Sequence, residues 1–66
     1  MKKILVTRVV RVVETVEVED AIFEKMCQDT QEGYHETVCL VDRLESEKDW
    51  NIEYVETEDE ECLWED

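Results

Sequence analysis

The sequence contains no proline, one glycine (Gly33), one histidine (His35) and one serine (Ser46). With a single glycine there is neither a phosphate-cradling loop nor a glycine-flanked nucleophile turn. One histidine and one serine leave little for nucleophilic catalysis. Carboxylates are so numerous, 20 in 66 residues, that some pair must lie close, so proximity alone carries no catalytic meaning. A catalytic site also needs a pocket that shifts pKa values, and a chain this short has little volume for one. No enzyme is expected.

Other absences narrow the class further. No apolar run approaches the roughly 20 residues of a membrane span. The opening MKKILVTRVVRVV mimics a secretory leader for a few residues, but Arg8 and Arg11 interrupt it and no small-residue cleavage site follows. Three cysteines, Cys27, Cys39 and Cys62, are an odd number without close spacing, which is not a disulfide framework. Free thiols in a reducing, cytoplasmic setting, that of a host bacterial cell, are expected, with Cys27 and Cys39 as small buried hydrophobes. Together with His35 they offer zinc-type ligands, but no two cysteines stand two to four residues apart as in a finger or ribbon. The acidic end lacks the glycine and spaced oxygens of a calcium loop. No metal and no cofactor are expected.

What the chain has in abundance is negative charge. Twenty acids against seven bases give a net charge of −13. The excess is uneven. Residues 1–18 hold Lys2, Lys3, Arg8 and Arg11 against Glu14 and Glu17, a net +2; residues 19–66 hold 18 acids against Lys25, Arg43 and Lys48, a net −15. Such a balance opposes direct binding to nucleic acid or an anionic membrane. It favours a basic partner, such as a protein that itself binds nucleic acid.

Sixty-six residues make a single small domain, marginal in core size because such a chain buries only about 60% of its unfolded surface. Residues 3–19 are valine-rich, with Ile4, Val6, Val10, Val12, Val16 and Val18 on one face, interrupted by Arg8 and Glu14. No glycine, proline, asparagine or aspartate marks a turn inside them, so they read as one long strand bent near Arg8–Arg11, with a split into two strands as the alternative. Residues 20–32 read as a helix with Asp20 as N-cap, an apolar stripe through Ile22, Phe23, Met26, Cys27 and Thr30, and Gly33 as its C-terminal stop. Residues 36–44 fit a strand or a helix, the β-branched run favouring strand. Residues 45–49 are a polar connection. From residue 50 the chain alternates, with Trp50, Ile52 and Tyr54 inward, Asn51, Glu53 and Thr57 outward and Val55 out of phase. Cys62 to Trp64 add a short strand or pack back, residues 58–66 forming a flexible acidic tail in the second case. The expected fold is α+β: a small antiparallel β-α-β-β sheet with one helix packed on one face and the other face open, as a monomer or a homodimer that buries it.

The functional expectation centres on WNIEYVETEDEECLWED, Trp50 to Asp66. Carboxylates two apart on a strand lie roughly 6.5–7 Å from one another, close to the run of phosphates along a nucleic-acid strand. Glu45, Glu47, Asp49, Glu53, Glu56, Glu58, Asp59, Glu60 and Glu61 are the candidate partner-binding residues, each a phosphate substitute, with Trp50, Tyr54 and Trp64 as potential apolar anchors. The valine-rich strand Ile4–Val18, the helix Asp20–Glu32 closed by Gly33, the segment Tyr34–Val38 and the acidic end resemble, in size and layout, small phage-encoded anti-CRISPR proteins and other DNA-mimic inhibitors. The resemblance implies an inhibitor that occupies the nucleic-acid groove of a CRISPR effector complex and blocks target DNA binding. The alternative is a small structural or accessory phage or plasmid protein that self-associates, its acidity serving solubility alone.

Overall fold

The computed structural model describes all residues from Met1 to Asp66. In chain order the elements are β1 (Lys2–Arg8), β2 (Val13–Val18), α1 (Asp20–Cys27), α2 (Gln31–Lys48), β3 (Ile52–Thr57) and β4 (Cys62–Glu65). The strands form one antiparallel sheet in the order β2-β1-β3-β4. The α+β class and the single antiparallel sheet agree with expectation. The layout departs from β-α-β-β in three places.

The valine-rich segment is a hairpin, the alternative to one long strand. Arg8 N–H donates to the Val12 carbonyl at 2.8 Å, Arg11 N–H donates to the Arg8 carbonyl at 2.8 Å, and Arg11 is left-handed at φ 66°. This is the pattern of a three-residue hairpin loop whose last residue favours glycine. Arginine in that position hides the turn from a reading by residue type. Val10 and Val12 therefore leave the inward face and stand exposed.

The expected helix over 20–32 is two helices. α1 ends at Cys27, and Thr30 caps α2 by accepting a hydrogen bond from Gly33 N–H at 3.0 Å. Asp20 is not the cap of α1; Glu19 stands there, and its side chain makes no capping bond. Gly33 does not stop a helix. It lies in the first turn of α2, where a Cβ would stand 2.0 Å from the Lys25 carbonyl oxygen and 2.8 Å from that of Gln28. Glycine here is what lets the start of α2 cross closely over the end of α1.

Residues 36–44 are helical, and α2 continues through the supposed polar connection to Lys48. Gly33, Thr37, Leu40, Val41 and Leu44 are its buried residues, spaced along one helical face. Asp49 ends the helix in the left-handed conformation, φ 56°.

Ile4, Val6, Val18, Met26, Leu40, Val41, Leu44, Ile52 and Val55 form one core between the helices and a single face of the sheet. In β3 the phase is reset by a bulge. Thr7 pairs with Tyr54 and Arg8 with Ile52, leaving Glu53 as the extra residue. The reset explains why Val55 seemed out of phase: it is completely buried, with Ile52 and Thr57 on the same side. Thr57 is thus inward and Tyr54 half-buried, the reverse of expectation. Trp50 and Trp64 pack partly against the core. The face of the sheet away from the helices carries three cross-strand rows: Glu17–Lys3, then Thr15–Leu5–Glu56–Cys62, then Val13–Thr7–Tyr54–Glu65. No helix is long and apolar enough to cross a membrane.

Candidate protein-binding surface

Both ends of β3 present carboxylates, each by a different local device. Where β3 begins, α2 delivers Glu45, Glu47 and Asp49. Glu45 is half-buried, and its Oε2 accepts from Ile52 N–H at 3.2 Å, so it fastens the end of α2 to the start of the strand. Glu53 projects from the bulge, and its carbonyl accepts from Asp66 N–H at 3.0 Å, which brings the last residue to the same end.

Where β3 ends, Glu58, Asp59, Glu60 and Glu61 form the loop to β4, and all four are exposed. Thr57 N–H donates to the Glu61 carbonyl at 2.9 Å and Glu60 N–H to the Thr57 carbonyl at 3.0 Å. The Thr57 hydroxyl oxygen accepts from Asp59 N–H and Glu61 N–H, each at 3.2 Å. A buried threonine thus pins the backbone from which the four carboxylates project. Glu56 lies between the two groups, half-buried and opposite Cys62 on the open face.

The nine candidates therefore do not form the continuous strand array expected of them. They make two groups about 20 Å apart, the length of a six-residue strand. The two acids of β3, Glu53 and Glu56, stand three residues apart rather than two, so they make no unbroken row along the strand.

Little of the negative charge is neutralised within the fold. The ion pairs are the Met1 amino group with Asp20 at 3.5 Å, Arg8 with Glu14 at 3.8 Å and Lys25 with Glu32 at 3.2 Å. They engage three of the 20 acids, leaving 17 without a cation, all nine candidates among them. Arg8 and Glu14, the two breaks in the valine face, answer each other across the first hairpin. The Arg8 guanidinium also stacks 5.3 Å from the centre of the Trp50 ring, while its buried Nε has no hydrogen-bond partner.

The thiols differ from expectation. Cys39 is exposed rather than buried, and Cys27 is half-buried. Cys39 Sγ lies 3.4 Å from His35 Nε2, one helical turn away. Burial pushes the Cys27 thiol above its ordinary value, and the charge of Glu61 adds to this. Tyr54 is raised as well, first by its hydrogen bond to Cys62, then by burial and the nearby charges of Cys62, Glu56 and Glu65. Both shifts hold a proton more firmly, away from the range useful for acid–base work at neutral pH.

One surface had no forerunner in the sequence reading. Val9, Val10, Val12 and Val13 are all exposed around the tip of the first hairpin, with Arg11 among them. Its only signal was an apolar run with nowhere to be buried once the turn is recognised. Comparison with known proteins finds no matching protein-family model, no matching curated protein and no matching solved structure.

Proposed function

We propose that this chain is an acidic binding protein that mimics nucleic acid, competing with DNA for the basic groove of a nucleic-acid-binding complex, with a CRISPR effector as the favoured target. The observation that carries this reading is the unneutralised surface: 17 acids without a cation, four of them on a loop held by Thr57. A preorganised carboxylate group loses little freedom on binding. It also gives a basic groove the charge partners that phosphates give it. The two groups at the ends of β3 would engage separate basic clusters within one groove, and Glu56 and Tyr54 on the open face lie between them.

The test is competition for a purified effector complex loaded with labelled duplex DNA. The chain is expected to displace the duplex, with an affinity that falls as salt rises. Reversing Glu58, Asp59 and Glu60 to lysine is expected to weaken displacement by about tenfold or more, since like charges would then face the groove. Displacement by that triple variant equal to the parent's, with its circular dichroism unchanged, would refute the reading.

A further inference from the structure

We infer that β2 is a self-association edge, and that two copies of this chain join there in an antiparallel pair to make one continuous eight-stranded sheet. The inference is independent of the binding reading above and begins with an unsatisfied ladder. β2 is an outer strand of the sheet. Arg8 N–H bonds the Val12 carbonyl, and the register then pairs Val6 with Glu14 and Ile4 with Val16. Hydrogen bonding in an antiparallel ladder alternates, so the even residues of β2 bond β1. Val13, Thr15 and Glu17 direct their N–H and C=O groups outward. An exposed edge of this length is a template for another strand, and β2 has no proline, no bulge and no lysine to blunt it.

The same alternation dictates the geometry of the pair. Only residues with outward backbone groups can exchange hydrogen bonds, so odd residues must face odd residues. In a two-fold antiparallel pair this places both sets of helices on one side of the joined sheet. Three registers keep most of the strand paired, centred on Glu14, Thr15 or Val16. Centring on Glu14 sets two carboxylates against each other, which is unfavourable. Centring on Thr15 sets Thr15 against its own copy and Val12 against Val18. It also sets Val13 against Glu17 and Arg11 against Glu19. Centring on Val16 sets Val13, not Arg11, against Glu19. Centring on Glu14 also sets Arg11 against an acid, Glu17, so the register centred on Thr15 is the one that pairs Arg11 with an acid without setting two carboxylates against each other.

Two further observations agree with this choice. Antiparallel pairing carries the exposed valine tip of one copy to the far end of β2 in the other. There a groove of about 490 Å³ is lined by the apolar Met1, Val18, Ile22 and Leu40 and by the charged Glu17, Glu19, Glu36 and Arg43. Exposed Val10 and Val12 thus meet apolar side chains, and the cation of Arg11 meets a groove whose three acidic side chains outnumber its one basic side chain, Arg43. Charge also selects the edge. Residues 1–18, which hold β2 and the strand beside it, carry a net charge of +2 against −15 for the rest, so two copies repel less when they approach through the β2 edge than through the β4 edge.

The test is sedimentation equilibrium on the full chain. The parent is expected to reach twice the 7.9 kDa chain mass at micromolar concentration. Thr15→Pro removes an outward N–H that β1 does not use, so the variant is expected to keep its circular dichroism and sediment as a monomer. Arg11→Glu sets like charges together at two symmetric places and is expected to weaken the dimer about tenfold. The charge swap Arg11→Glu with Glu19→Arg is expected to restore it, and this arm decides the matter if Thr15→Pro does not fold. A parent that stays monomeric to millimolar concentration overturns the inference. So does a dimer indifferent to Arg11→Glu, and so does one the charge swap fails to restore, since association would then run through another surface.

Discussion

Arg11 and Glu60 occupy equivalent positions in two hairpins of the same design, at φ 66° and φ 67°. Each is the third loop residue, each donates its N–H to the carbonyl of the last strand residue, and neither is glycine. A side chain in this conformation costs roughly 1 kcal/mol relative to glycine. Glu60→Gly is therefore expected to raise the free energy of unfolding by about 1 kcal/mol, measured by urea denaturation. A loss of stability would mean that the loop geometry depends on the Glu60 side chain.

Gly33 is where the two helices cross. The carbonyl oxygen of Lys25 stands 2.0 Å from the place a Cβ would take, and it is backbone, not the movable end of a side chain. Gly33→Ala must push α1 and α2 apart and is expected to cost about 3 kcal/mol, the upper range for overpacking. Thermal unfolding followed by circular dichroism would show it as a clear drop in Tm.

Glu45 is set apart from the other eight candidate acids by its bond to Ile52 N–H. Glu45→Ala is expected to lower stability by about 1 kcal/mol, whereas Glu47→Ala, at an exposed position, should leave it nearly unchanged. If both variants unfold at the parent's urea midpoint, the tie between α2 and β3 contributes nothing.

Alkaline pH should loosen the fold. The Cys27 and Tyr54 protons are held above their ordinary values of 9.0 and 10.0 in the folded chain. The unfolded chain gives up these protons first, so stability is full below those values and declines as pH rises through them. Unfolding midpoints at pH 8 and pH 10.5 would reveal the decline. In Cys27→Ser it should be smaller.

These features also explain what could be read in the chain beforehand. Alternating Ile4, Val6, Val16 and Val18 announced a sheet with one buried face. The turns stayed hidden because Arg11 replaces the residue that normally marks such a loop. α2 was obscured because the β-branched run within residues 36–44 favours strand, and because two of its five buried positions, Gly33 and Thr37, do not extend its apolar stripe. Gly33 misled in a second way: a glycine required for close approach looks, in sequence, like a glycine required for a cap. The acidity of the surface was legible in composition alone. Its division between the two ends of β3 was not, because it depends on α2 running on to Lys48 through residues that read as a polar connection.

The order of the strands also sets how the chain must assemble. β1 with β2 and β3 with β4 are local hairpins, each closed by a tight loop, and the two helices follow one another directly. The one distant ladder is β1 with β3, which pairs Ile4 with Thr57 and Val6 with Val55. Joining them closes a loop of roughly 50 residues, an entropic loss that no local contact can offset in advance. Folding of the monomer is therefore gated by the meeting of its two hairpins beneath the helices. Truncation of Val6 or Val55 at that seam should slow folding, and so should changes that weaken either hairpin loop, since both hairpins are formed when they meet.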